Sequence, residues 1–210
     1  MAVIRGRHKP FSLDEVRSLV FTLESNDKYF AGHSRRTTEI ALAIGKDINL
    51  PPEVLEDLRW GALLHDVGKI AVDPDILYKP GKLTPEEYRH IMAHVVIGST
   101  IVELMFNKRI ADIISHHHDH YDGSGLGQVV AGKDIPLGAR ILVIADAFDA
   151  MTSERPYRAG ISNEEAIEEI RQGRGTQFDP VIANIFIKMR ETKKMLGFSP
   201  STSESSSNGS

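Results

Sequence analysis

Nine histidines and no cysteine stand in a chain of 210 residues. Four of them, His116, His117, His118 and His120, fall within five positions, preceded by His33, His65, His90 and His94. With no thiolate to offer, the strong metal ligands are imidazole and carboxylate, which suit Fe, Mn, Zn or Ni and make an iron–sulfur site untenable. His65-Asp66 closes the apolar run Gly61-Ala-Leu-Leu64 and leads into Val67-Gly68-Lys69. On a continuing helix Lys69 sits one turn beyond His65, on its face. Taken singly, each of these residues reads as an ordinary partnered core or surface side chain. The chemical case rests on the set: His-Asp followed by x-Gly-Lys, Gly-His-Ser at 32–34, an isolated His94, the pair His117-His118, and ADAFDAMTS from 145.

Helices have to deliver these residues. Ser12 with Glu15, Thr84 with Glu87 and Ser162 with Glu165 each have the spacing in which two side chains satisfy the open amides of a first helical turn, so helices are expected from about 12, 84 and 162. Ile40, Ala41, Ile44 and Ile48 repeat at helical spacing up to Asn49-Leu50-Pro51-Pro52, and Val54, Leu58, Gly61 and Leu64 do the same afterwards. Asp179-Pro180 opens a last helix to about Lys194. Residues 141–145 alone could be a buried strand, but the length and alanine content of 140–151 favour a buried helix. Loops are expected at 73–82, 121–136 and 173–178, where Gly and Pro concentrate. The fold class is therefore all-α, with a short arm at 1–10, one domain at 11–197, and a disordered serine-rich tail at 198–210.

Composition narrows the function. Hydrophobic residues make up 41% and charged residues 26% of the chain, ordinary values for a globular domain. A formal charge of -4 gives no basic footprint for a nucleic-acid polymer or an anionic membrane surface. No apolar run approaches the ~18 residues of a membrane span, and the first ten residues lack the apolar core of a secretion signal. A cytoplasmic protein is expected.

The chain resembles the HD-GYP family, the branch of the HD phosphohydrolases that opens cyclic dinucleotides, chiefly cyclic di-GMP. The likeness runs from about Tyr29 to Pro180 and reads YFAGHSRR, LLHDVGKIAVDPDILYKPGKLTPEEY, HVVIG, HHHDHYDGSG, GKDIPLGARILVIADAFDAMTSERPYR and QFDP, in the family's order and approximate spacing. It implies an HD-domain helical bundle. It also implies that His33, His65 and Asp146 bind one divalent metal, that His94, His117 and His118 bind a second, and that Asp66 bridges them. Two such cations, ~3.5–4 Å apart, would share a hydroxide that attacks phosphorus. Fe or Mn is the first expectation, Zn or Ni the next. Some members carry a third metal on a Glu four residues before the first His; Tyr29 stands there, so two metals and a linear product, pGpG, are expected.

The family pattern HHExxDGSG places the ligand pair at His117 and His118, with Asp119 at the usual Glu. His116 is then a neighbour, and His8, His90 and His120 read as surface residues. Asp149, three residues after Asp146, reads as a carboxylate behind the ligands or a helix cap. Lys69 reads as a surface lysine or as a cation that binds a phosphate oxygen or orients the attacking water. Arg155 and Arg158 resemble the family's substrate-side pair, whose guanidinium can fork onto phosphate or a guanine edge; a structural salt bridge is the other reading. Tyr78 to Lys82 reads as a lid segment or a solvated loop. The signature Gly-Tyr-Pro is replaced by Gly125-Leu126-Gly127, which removes an aromatic that could stack on a base and touches no metal ligand. The expected activity is thus hydrolysis of a cyclic dinucleotide, cyclic di-GMP first. Hydrolysis of another nucleotide, or binding of a cyclic dinucleotide or a diguanylate cyclase (GGDEF) partner without turnover, are the alternatives.

Overall fold

A computed structural model describes residues 18, 32–125, 130–154 and 159–195. Among these the chain is helical, with no strand beyond a single bridge between Arg174 and Phe178. Ser18 is helical; the rest of the helix expected from residue 12, the arm and the tail lie outside the described residues.

Helix α1 spans His33–Asp47, entered through Gly32 at φ 73°. It stops at Asn49, whose φ of 57° turns the chain so that the Leu50 N–H reaches the Gly45 carbonyl. Helix α2 spans Pro52–Leu64, its first-turn proline standing where a missing N–H costs nothing. The single turn α3, Pro74–Leu77, lies inside the expected loop 73–82, capped by Asp73. Helix α4, Pro85–Met105, and helix α7, Asn163–Gln172, both open with the reciprocal caps expected of Thr84–Glu87 and Ser162–Glu165. Helix α5, Lys108–Ser115, was not foreshadowed; Asn107 caps it by accepting the Ile110 N–H. Helix α6, Leu137–Thr152, takes up the stretch that could have been a strand. Helix α8, Pro180–Met195, starts as expected.

Helix α6 is the axis of the fold. Ile141, Leu142, Ile144 and Ala145 are all fully buried, because α1, α2, α5, α7 and α8 surround it, and a helix apolar all round belongs in a core. A second, smaller apolar cluster joins Leu63, Leu64, Val67, Val102, Ile110 and Ile114 where α2, α4 and α5 meet.

Glycines set how closely these helices approach. A Cβ on Gly61 of α2 or Gly138 of α6 would stand within 2.7 Å of Ile113, so both helices grip α5 at one side chain. Tighter still, a Cβ on Gly68 would lie 2.0 Å from the His94 carbonyl oxygen, and Gly98 faces Gly68 from α4. This contact explains a departure from expectation. Helix α2 does not continue through Lys69; the chain tightens into a 3-10 turn, Val67–Ala71, that slides under α4. Lys69 is therefore folded back onto Asp66, three residues earlier, instead of standing over His65.

Gly68→Ala should force the turn away from the α4 backbone. Overpacking costs about 1–3 kcal/mol and more when the obstacle is main chain, so thermal unfolding should show a clear fall in Tm. Metal bound per chain should fall with it, since Asp66 and His94 lie on the two sides of the contact.

Candidate metal centre

Five separate stretches of chain bring the chemistry together. His33 is the first residue of α1, His65 follows α2, and Asp66 caps the 3-10 turn. His94 sits within α4, His117 and His118 directly follow α5, and Asp146 lies on α6. Their rings form a chain of edge contacts: His33–His65 at 5.2 Å, His65–His117 at 5.3 Å, His94–His117 at 5.4 Å and His94–His118 at 5.3 Å between centroids.

Two groups of ligand atoms result. His33, His65 and Asp66 place one atom each within 4.8 Å of the others, and so do His94, His117 and His118. Asp146 Oδ1 joins the first group, 3.1 Å from His33 Nε2 and 3.8 Å from His65 Nε2. Asp66 faces both. Its Oδ2 lies 3.8 Å from His33 Nε2 and 3.5 Å from His65 Nε2, while its Oδ1 lies 3.5 Å from His94 Nε2.

The backs of the rings determine what the fronts can do. Nδ1 of His65, His94 and His117 each meets the main-chain carbonyl three residues earlier, Ala62 at 2.8 Å, Ile91 at 2.6 Å and Ile114 at 2.6 Å. A carbonyl only accepts, so Nδ1 carries the hydrogen and Nε2 is left with a lone pair aimed inward. All three Nε2 atoms are buried without a hydrogen-bond partner. An unsatisfied buried polar atom costs about 1–3 kcal/mol, and three converging lone pairs beside a carboxylate call for a cation. The donor set of imidazole and carboxylate oxygen therefore fits two divalent ions.

His33 is held differently. Its Nδ1 donates to Asp149 Oδ2 at 2.7 Å, and Arg36 forks onto the same carboxylate, Nε to Oδ1 at 2.6 Å and Nη2 to Oδ2 at 3.1 Å. Asp149 thus stands behind the ligands, while Arg36 had been given no role by the sequence. Its signal was present: Arg36 lies one turn along α1 from His33, on the same face.

Electrostatics follow from burial and partners. Burial pushes His94 down to about 4 and holds His117 and His118 below the usual imidazole range. Burial also opposes charge on His33, but hydrogen bonds to Asp146 and Asp149 prevail and push it up to about 10. Against the cost of burial, Asp66 is held far below the usual carboxylate range by Lys69 first, and Asp146 by its bond to His33. Lys69 Nζ lies 2.6 Å from Asp66 Oδ2.

The other candidates divide. His116 Nδ1 pairs with Asp119 at 2.6 Å instead of joining the ligand groups. His90 accepts the Asp73 N–H, and His120, read as a plain surface residue, is half-buried and lines the cavity in front of the centre. Lys79 pairs with Glu87 at 2.8 Å instead of being solvated. Arg155, Arg158, Tyr29 and Leu126-Gly127 lie outside the described residues. The cavity measures about 470 Å³ and opens onto Lys69, His94, His117, His118 and Asp146.

This chain belongs to the HD domain family, whose sequence pattern matches residues 18–182. A cyclic di-GMP phosphodiesterase of Pseudomonas aeruginosa is 34% identical over 168 residues, 79% of this chain and 40% of the relative. Another, of Thermotoga maritima, is 31% identical over 187 residues, 88% of this chain and 51% of the relative. A 3'3'-cGAMP-specific phosphodiesterase of Vibrio cholerae is 36% identical over 159 residues, 75% of this chain and 35% of the relative. The chain thus spans about half or less of the length of these relatives. Among solved structures, a cyclic GMP-AMP-specific phosphodiesterase of V. cholerae shares the fold at TM-score 0.67 and 22% identity, over 87% of this chain and 49% of that one.

Two outcomes are expected. In metal-free protein, histidines with lowered pKa take up protons in the unfolded state first, so stability should fall as pH drops from about 6.5 to about 4, by roughly 1.4 kcal/mol per pH unit per histidine. The raised pKa of His33 acts oppositely: its contribution is complete below about 6.5 and fades as pH climbs toward 10. Thermal unfolding in chelator should thus show a maximum near neutrality, and a flat acid limb would contradict the burial of these rings. Second, Asp149→Asn should weaken metal binding at the His33 group 10- to 100-fold, read by metal titration as loss of about one of two equivalents.

Proposed function

We propose that this chain is a metal-dependent phosphodiesterase that opens a cyclic dinucleotide, cyclic di-GMP in the first place, to the linear dinucleotide pGpG. The observation that carries the reading is the division of Asp66 between two groups of buried ligand atoms, with the unpartnered Nε2 of His65, His94 and His117 aimed at the same space. His33, His65 and Asp146 would hold one divalent cation, His94, His117 and His118 a second, with Asp66 shared; Fe or Mn is preferred, then Zn or Ni. Two bound cations supply a nucleophile at neutral pH and neutralise charge growing on a phosphodiester.

The chain's own groups do the rest. Asp66, ionised throughout the physiological range, holds the two ligand groups in register. Lys69 is a fixed positive charge at the cavity floor, placed to bind a phosphate oxygen as charge develops there. Arg155 and Arg158 are assigned to the substrate's phosphate or base on the resemblance of SERPYR to the family. The names of the relatives support a cyclic dinucleotide. A second reading, 3'3'-cGAMP, is favoured by a relative 36% identical to this chain. A diguanylate cyclase partner and a cytoplasmic setting belong to the same proposal; among the described residues no helix is long and apolar enough to cross a membrane.

Purified, metal-loaded protein should convert cyclic di-GMP to pGpG on a panel that includes 3'3'-cGAMP, linear dinucleotides and mononucleotides, with products resolved by chromatography. Indifference to every cyclic dinucleotide would reject the proposal. Asp66→Ala should lose at least 10³-fold in turnover, by analogy with removal of other electrostatic groups from active sites, together with most bound metal; retained activity would discard the shared-carboxylate mechanism.

A further inference from the structure

The cavity in front of the ligands has two walls that the metal centre does not use. One is a face of α4. Tyr88, Ile91 and Met92 lie there at i, i+3 and i+4, upstream of His94, with Leu77 of α3 beside them. Tyr88 is 43% exposed, an aromatic ring turned to open space within reach of the catalytic floor.

The other wall is Gln177. Its carbonyl and its neighbours in the chain are anchored. The Gln177 carbonyl accepts the Tyr121 N–H at 3.2 Å, Phe178 is buried with its N–H on the Gly173 carbonyl at 3.0 Å, and Asp179 is paired with Arg140 at 2.6 Å. Yet no hydrogen bond engages the Gln177 side-chain amide among the described residues, and it lines the same cavity. An anchored loop thus presents an uncommitted donor–acceptor pair to the cavity that the aromatic ring also lines.

We propose that these walls form a purine subsite, in which Tyr88 stacks on a base of the substrate and the Gln177 amide pairs with its polar edge. The inference rests on the cyclic-dinucleotide reading and adds to it the residue that sets which base is accepted. Stacking on a tyrosine ring is tolerant of base identity, because every base has a π-face. Edge pairing is not. An amide holds one donor and one acceptor side by side and can present them in either order, so Gln177 accommodates adenine, whose edge alternates acceptor and donor, and by turning over also guanine. A carboxylate in the same place would only accept. It would pair with the N–H groups of guanine and meet the ring acceptors of adenine with repulsion.

The test compares the full metal-loaded chain with Tyr88→Ala, Tyr88→Phe, Gln177→Ala and Gln177→Glu, measuring kcat and KM on cyclic di-GMP, cyclic di-AMP and methyl p-nitrophenyl phosphate, a diester with no base. Tyr88→Ala and Gln177→Ala should raise KM for both cyclic dinucleotides about 10- to 100-fold relative to the base-free diester, and Tyr88→Phe should restore it. Gln177→Glu should shift the ratio of kcat/KM toward cyclic di-GMP over cyclic di-AMP, which has no guanine to offer, by at least about tenfold. Changes under about threefold in all four variants, with turnover of cyclic dinucleotides intact, overturn the subsite and leave the activity standing. If the parent chain cleaves the base-free diester but no cyclic dinucleotide, the functional reading fails, and the subsite fails with it. Circular dichroism separates either result from misfolding, since both side chains are exposed.

Discussion

Everything in this molecule depends on a hydrogen bond made on the side of the ring away from the chemistry. His65, His94 and His117 each donate Nδ1–H to a main-chain carbonyl one turn back. That bond fixes the tautomer and the ring angle at once, so the opposite nitrogen is a preset lone pair before any ion arrives. The arrangement needs local helical geometry, because only there does the carbonyl three residues earlier fall under the ring. It explains why ligands cluster within or directly after helices and why helix ends had to be placed with care. His33, the first residue of α1, is held instead by a carboxylate, Asp149, that Arg36 secures.

The packing then has one task, to bring these ends to a common point. Small residues do it. Gly68 lets the turn carrying Asp66 approach the α4 backbone more closely than any side chain would allow, and Gly61 with Gly138 lets two helices close on Ile113 of the helix that precedes His117. The buried pair Arg140–Asp179 performs a related service at the far edge, joining the helix that bears Asp146 to the loop that presents Gln177.

Much of this was legible in the residues. The caps at Thr84 and Ser162, the stop at Asn49 and the buried character of 140–151 are local properties, written within a few positions of where they act. The gathering of His33, His65, Asp66, His94, His117, His118 and Asp146 was legible only through their joint resemblance to a family pattern, since spacing along the chain says nothing about convergence in space. What escaped was tertiary in origin. The break in the helix after Leu64 is imposed by α4, a partner more than twenty residues away, so helical periodicity extended Lys69 in the wrong direction. Arg36 had no role in the sequence reading, because the carboxylate it secures, Asp149, lies on a distant helix. His120 and Gln177 stood inside matching stretches without a role of their own; the meeting of two loops, joined by main-chain hydrogen bonds between Tyr121–Asp122 and Thr176–Gln177, gave them a common cavity.

The two ligand groups are backed by different parts of the core. The larger apolar cluster lies behind His33, His65 and Asp146, on α1, α2 and α6, whereas the smaller one lies where α2, α4 and α5 meet, behind His94, His117 and His118. Asp66 sits at the seam. The bundle is therefore a pair of jaws with one carboxylate at the gap, and any elastic strain between them changes the distances from Asp66 to the imidazoles on either side. Stiffness at the seam becomes a chemical variable: substitutions far from the cavity that loosen or tighten the contact between α2 and α4 can retune the centre without altering a single ligand.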